Sequence, residues 1–157
     1  MRTLLEAKEE VKDAMKDGIE CPCCEQWTQL YKYSFHSGMV KALIYIYKAY
    51  ENGDIPKGEF FHVEKYLKEK KVDFHGYHSK LKFWGLLEQK SNDNPAKKWS
   101  GFWKITQKGI DFIKDEIALP KYVWLHNKKA YGFEGPNMLA SELKFKHFNY
   151  AEMMGAE

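Results

Sequence analysis

The stretch of sequence that decides the fold is Val72–Ile113, which reads VDFHGYHSKLKFWGLLEQKSNDNPAKKWSGFWKITQKGIDFI. Within it, Leu81, Trp84 and Leu87 recur at i, i+3 and i+6, a spacing that predicts an apolar stripe along one face of a helix. Gly85 permits a tight exit from that helix. The middle of the stretch therefore predicts the end of a helix that passes directly into a strand.

The rest of the stretch continues the same pattern of elements. A polar loop rich in turn-forming residues spans Ser91–Lys98, and an aromatic strand is predicted over Trp99–Ile105. Thr106 is placed to cap a helix over Gln107–Ile117. Helix, strand, polar loop, strand and helix form the second half of a winged helix, in which the helix before the wing usually contacts DNA.

The preceding residues complete this domain. A helix that is apolar nearly all round is predicted over Gly38–Glu51, with Ser34 or Ser37 as its N-cap. A strand that pairs with the wing and the two helices of a helix-turn-helix follow, at Phe60–Val63, Glu64–Lys71 and Asp73–Leu87.

We therefore predict a mainly α fold with a small β-wing. Its three parts are an N-terminal helix and cysteine turn over residues 1–33, a winged helix-turn-helix domain over 34–119, and a C-terminal extension over 120–157. The first helix, Met1–Asp17, is amphipathic and ends at Gly18. Pro120 breaks the chain before the extension, in which we predict a hairpin and two short helices.

Composition and charge narrow the classes of function. No apolar run reaches the roughly 18 residues of a membrane span, and residues 1–10 lack the apolar core of a signal peptide, so we expect a cytoplasmic protein without membrane partners. Residues 26–108 hold 15 basic and 8 acidic side chains, whereas residues 1–25 hold 4 and 7. This basic excess favours nucleic-acid binding, although an ordinary lysine-rich surface has the same composition.

The basic residues indicate how DNA would be contacted. We predict that the contacts come from the second helix of the helix-turn-helix and from the tip of the wing, namely from Tyr77, Ser79, Lys80, Lys82, Lys97 and Lys98. Arg2 is the only arginine, so bidentate recognition of guanine is poorly supported. The alternative is that Tyr77 fills the core and the lysines are solvated.

The only cysteines lie in one cluster, Cys21-Pro-Cys-Cys24. The C-x-x-C pair of Cys21 and Cys24 can supply two thiolates to a structural Zn²⁺, with Cys23 as a spectator or substitute. His75 and His78, at i, i+3 spacing, are candidates for the remaining ligands, as are His36 and the same cysteine pair from a second subunit of a homodimer. Reduced cysteines without metal, and redox chemistry, are the alternatives.

Catalysis has little support in the sequence. It contains no glycine-rich phosphate loop, no G-x-S-x-G motif and no pair of carboxylates in an apolar setting. We therefore predict that the protein is not an enzyme.

Several motifs resemble a group of small, largely uncharacterised proteins of tailed phages and prophages. They are Cys21-Pro-x-Cys24, Leu30-Tyr31-Lys32, Ser37-Gly38-Met39, the run from His75 to Glu88, and the run from Gly101 to Gly109. The resemblance covers about residues 19–154, and it departs from the group's C-P-x-C-G pattern at Glu25. It implies a winged helix with an N-terminal cysteine turn in a viral setting, and no settled activity.

These observations predict a phage or prophage nucleic-acid-binding protein that acts on double-stranded DNA in transcription control or replication. The alternative is a phage-encoded adaptor or inhibitor that binds a host polymerase, nuclease or defence enzyme. Aromatic side chains would suit such a protein surface as well as a core, and they include Trp27, Tyr31, Tyr33, Phe35, Trp99, Trp103 and Trp124.

Overall fold

The structure is a computed structural model that describes residues 2–72, 76–91, 101–143 and 150–154, without the side chains of residues 151 and 152. Of the described residues, 40% are helical and 26% lie in strands, and the strands form three small antiparallel sheets. The predicted mainly α fold class is therefore wrong, and the chain is an α+β mixture. The physical reason is that sheets form by pairing between distant segments, as where Tyr31 is opposite Leu125, and local sequence patterns do not show such pairing.

The chain divides into two compact units. The N-terminal unit consists of Met1–Ser34 with Pro120–Gly135, and the central unit consists of Phe35–Leu119 with Pro136–Glu157. The predicted extension over 120–157 is thus shared between the two units.

In the N-terminal unit, helix α1 spans Leu4–Ala14 and begins with a capping box, in which Thr3 accepts from the Glu6 backbone N–H and Glu6 accepts from that of Thr3. Strands β1 (Ile19–Glu20) and β2 (Trp27–Thr28) form a two-stranded ribbon.

A second sheet has the order β3-β7-β8. Strand β3 is Tyr31–Ser34, β7 is Leu119–His126 and β8 is Lys129–Met138. Asn127 and Lys128 join β7 to β8, and both have positive φ, 48° and 63°, as a two-residue hairpin turn requires. The predicted hairpin is therefore confirmed, and it pairs with β3.

In the central unit, helix α2 spans Ser37–Glu51 and is buried along most of its length. Its N-cap is His36, whose Nδ1 accepts from the Gly38 backbone N–H at 3.2 Å. The prediction that Ser34 or Ser37 caps this helix is wrong, because the imidazole performs that role and Ser37 is the first helical residue.

The sheet of the central unit has the order β4-β6-β5. Its strands are Phe61–His62, Leu87–Gln89 and Phe102–Ile105, numbered β4 to β6 along the chain. Phe61 pairs with Trp103, which confirms the predicted strand at 60–63 and its partner.

The helices around this sheet are α3 (Val63–Glu69), a 3₁₀ helix (Tyr77–Trp84) and α4 (Gln107–Ile113). A short 3₁₀ turn (Ala140–Glu142) and α5 (Tyr150–Met153) follow β8. The prediction of a helix over 73–87 is right in position for 77–84 and wrong at its end, since Leu87 begins β5.

An aromatic cluster forms the core of the central unit. The Phe35 ring meets Trp84 edge-on at 5.0 Å and Phe112 at 5.3 Å between centroids. Trp84 is 1% exposed, so its predicted burial is confirmed. The cluster joins the start of α2, the 3₁₀ helix and α4, and so fixes the helix that carries the predicted DNA contacts.

Candidate nucleic-acid interface

The Tyr77–Trp84 3₁₀ helix is the element on which the predicted contact residues meet. Gly76 and Gly85 bracket it with φ of 71° and 75°, a conformation that favours glycine. At three residues per turn, side chains three apart lie above one another. His78, Leu81 and Trp84 accordingly form one column, and all three are buried.

The two remaining columns hold the predicted DNA-contact residues of the helix. Tyr77, Ser79, Lys80 and Lys82 are all partly exposed. The Nζ atoms of Lys80 and Lys82 lie 5.9 and 5.4 Å from the ring centroid of Phe83, so both ammonium groups lie near one aromatic ring. The predicted contacts at Lys97 and Lys98 lie outside the described residues.

Tyr77 and Ser79 have structural partners as well. The Tyr77 ring meets His36 edge-on at 4.5 Å, and a Cβ added at Gly38 would lie 2.7 Å from that ring. The Ser79 hydroxyl donates to the Gly76 carbonyl at 2.9 Å. The positive charge of the helix surface therefore comes from the two lysines, while Tyr77 and Ser79 help to set the position of the helix.

Lys108 on α4 is a third lysine at this helix, and the sequence did not predict a role for it. Its Cδ and Nζ lie 3.6 and 3.9 Å from where a Cβ at Gly85 would be, so it reaches the end of the 3₁₀ helix. Thr106 fixes this approach, because its hydroxyl donates to the Gly85 carbonyl at 2.6 Å and accepts from the Gly109 backbone N–H. The predicted cap at Thr106 was the available signal, since a helix starting there brings Lys108 with it.

His78 is not part of the exposed surface. It is 8% exposed, and its ring meets Trp103 edge-on at 5.7 Å. Burial lowers the pKa of His78; Glu64 opposes that shift and His62 adds to it. The imidazole is therefore neutral at pH 7 and contributes to packing. Its predicted partner as a zinc ligand, His75, lies outside the described residues.

The cysteine turn closes the end of the β1–β2 ribbon. The Cys21 backbone N–H donates to the Gln26 carbonyl at 2.8 Å, and the Glu25 N–H donates to the Cys21 carbonyl at 2.9 Å. Backbone N–H groups of Cys24 and Cys23 directed at the Cys21 sulfur lower the pKa of that thiol. Glu25 has φ of 64°, the left-handed conformation that glycine commonly supplies.

Three further observations concern metals, membranes and known proteins. No group of three or more metal-ligating side chains is found within the part of the chain that the structure describes. Among the same residues, none of the helices is long and apolar enough to cross a membrane. Comparison of the chain with protein-family models, curated proteins and solved structures gives no match.

Proposed function

We propose that the protein binds double-stranded DNA through the lysine-bearing surface of the Tyr77–Trp84 3₁₀ helix and the start of α4. The observation that carries the proposal is that Lys80 and Lys82 lie on this helix and that Lys108 reaches its C-terminal end. The buried column of the helix and the Thr106 cap hold these lysines on a rigid support. A phosphate backbone is the partner that such a cluster of ammonium groups attracts most strongly.

Lysine chemistry also limits what this surface does. An ammonium group neutralises a phosphate but lacks the planar fork with which arginine reads a guanine edge. Because Arg2 is the only arginine, the contacts position the protein on the backbone of the duplex and discriminate weakly between sequences. We propose a role in transcription control or replication that tolerates varied sequence. The phage or prophage setting stays a prediction of the resemblance.

The test is a titration of long duplex DNA at several salt concentrations. The logarithm of the binding constant falls with that of the salt concentration by about 0.9 for each phosphate contacted. Lys80→Gln, Lys82→Gln and Lys108→Gln combined should weaken binding and reduce this slope by about 3. A matched control removes three lysines of the N-terminal unit, Lys12, Lys121 and Lys129, by the same change.

The control variant should retain most of the slope, because it changes net charge equally but leaves the proposed surface intact. Absence of duplex binding by the unmodified protein at low salt would refute the proposal. If the salt dependence of binding fell equally in the two variants, DNA binding would depend on the net charge of the protein and not on this surface.

The second candidate function is a protein-binding adaptor or inhibitor, and the N-terminal unit favours it. Large hydrophobic side chains with exposed fractions between 48% and 67% lie in that unit, namely Leu4, Leu5, Trp27, Tyr31, Tyr131 and Phe133. A partner protein held by such a surface would bind with little dependence on salt. Salt-insensitive binding to a host protein together with no duplex binding would favour this candidate.

A further inference from the structure

The N-terminal unit has little apolar core of its own. Across the described residues, 26 hydrophobic side chains are buried, and four of them belong to this unit: Ala7, Met15, Leu30 and Val123. The unit is made of segments of 34 and 16 residues. Units of this size commonly need a metal, a disulfide or association with a second chain to reach full stability.

The cysteine turn lies where this shortage is greatest. The β1–β2 ribbon has two residue pairs, Ile19 with Thr28 and Glu20 with Trp27. Trp27, directly opposite Glu20, is 61% exposed. Two such pairs and an exposed indole contribute little to holding a ribbon together. A metal bound at the tip would supply the missing stabilisation.

The geometry of the turn suits a metal ligand pair. Cys21 and Cys24 belong to a loop closed by two backbone hydrogen bonds, which hold the two cysteines of the C-x-x-C pair in one tight turn. Two thiolates at this spacing can bind one face of a tetrahedral Zn²⁺. The turn is also accessible, since Cys23 and Cys24 are exposed and Cys21 is partly exposed.

The number of zinc ligands favours a site shared by two chains over a site within one chain. A structural zinc site takes four ligands, and the cysteines of this chain are all in one turn. Described histidines have other structural roles: His36 and His62 cap α2 and α3, His78 packs on Trp103, and His126 meets Tyr131. A second copy of the turn supplies two more thiolates of the same kind, in the symmetric arrangement that dimers favour.

We propose that two copies of this protein share one zinc ion, held by Cys21 and Cys24 of each copy, and that this site joins their N-terminal units. Trp27, next to the turn through its pairing with Glu20, becomes covered by the second copy. Cys23 stays outside the site.

The experiment adds zinc alone to the reduced full-length protein after removal of metal, and measures metal content and molecular mass by ultracentrifugation. We expect one zinc for every two chains, a dimer with zinc, and a monomer after strong chelator. Cys21→Ser with Cys24→Ser should abolish zinc binding and the dimer. Cys23→Ser is the matched control and should preserve both.

Zinc content and molecular mass of the unmodified protein test the proposal even if the double variant fails to fold. One zinc for each monomeric chain would place all ligands in a single chain and overturn the shared site. No zinc binding by the reduced protein, or a dimer of the same mass with and without zinc, would overturn it as well. None of these results depends on DNA binding, so the two proposals can fail separately.

Discussion

The two units of this protein differ in how far their aromatic side chains are exposed. In the central unit Phe35, Trp84 and Phe112 are each at most 2% exposed and meet edge-on. In the N-terminal unit Trp27 and Tyr31 are 61% and 60% exposed. The same kind of residue thus builds a core in one unit and a surface in the other.

This difference in exposure indicates which unit contributes most to folding stability and which one is suited to bind a partner. Burial of a large aromatic side chain contributes several kcal/mol, so the central unit holds most of the folding energy in its core. Exposed aromatic rings contribute little to folding, but they are the side chains that interfaces use most. We therefore expect substitutions in the central unit to change melting, and those in the N-terminal unit to change association.

The largest effect is expected at the centre of the core. Trp84→Ala should lower the free energy of unfolding by roughly 3–5 kcal/mol, because it leaves a cavity beside Phe35. Denaturant titration followed by circular dichroism measures this loss. Tyr31→Ala in the N-terminal unit is the control and should change stability by less than about 1 kcal/mol. Equal losses at the two positions would refute the contrast between the units.

A smaller loss of stability is expected from a substitution at Gly109, where α4 contacts the backbone that precedes β5. A Cβ at Gly109 would collide with the Leu86 carbonyl oxygen and would lie 2.9 Å from Ile105 Cγ1. Alanine usually stabilises a helix by about 1 kcal/mol relative to glycine, but overpacking costs about 1–3 kcal/mol. Gly109→Ala should therefore lower the melting temperature.

The glycine control lies in the other unit. Gly132 has no atom within 4 Å of an added Cβ, so Gly132→Ala should leave melting nearly unchanged. A gain in stability from Gly109→Ala would mean that α4 and the Leu86 carbonyl are not in close contact.

The sequence predicted those elements whose signals are local. The apolar pattern over 38–51 and the cap at Thr106 identified α2 and α4 correctly. The spacing of Leu81 and Trp84 suits both an α-helix and a 3₁₀ helix, so it could not decide between them. Strand β8 continues beyond the predicted hairpin through Gly135 and Pro136, residues that favour a loop, and it is a strand because it pairs with β7.

For the candidate interface too, the sequence predicted the residues with local signals and not those positioned by distant packing. Lys80 and Lys82 were predicted because they lie on the helix before the wing. Lys108 was not predicted, because the cap at Thr106 places it at the start of α4, whereas its approach to Gly85 depends on how α4 packs. The fold class was wrong for a similar reason, since pairing between 31–34 and 122–125 is invisible to local periodicity.

A threonine side chain caps a helix in each unit, so the contribution of the same hydrogen bond to stability can be compared between the two units. Thr106→Ala removes the bonds to Gly85 and Gly109, and it should cost about 1–2 kcal/mol. Thr3→Ala removes the equivalent bond at the start of α1, where Leu4 and Leu5 are exposed, and it should cost less than about 0.5 kcal/mol because an exposed terminal turn contributes little to global stability. Thermal melting of both variants, with Thr106→Ser as the control that keeps the hydroxyl, would measure the difference. Equal losses would show that the first turn of α1 is as firmly held as that of α4.

The smallest effect is expected in the sheet of the N-terminal unit. Lys32 Nζ lies 4.3 Å from the ring centroid of Tyr122 and 5.7 Å from that of Trp124, and it is paired with Glu134, whose pKa it lowers. Cation–π and ion-pair contacts at exposed sites are worth about 0.5–1 kcal/mol. Lys32→Met keeps the aliphatic stem and should lower stability by no more than that, with a smaller difference in high salt. Lys129→Met, in β8 of the same sheet, is the control. A loss from Lys32→Met close to that of Trp84→Ala would mean that this exposed cation, and not a buried ring, anchors the N-terminal unit.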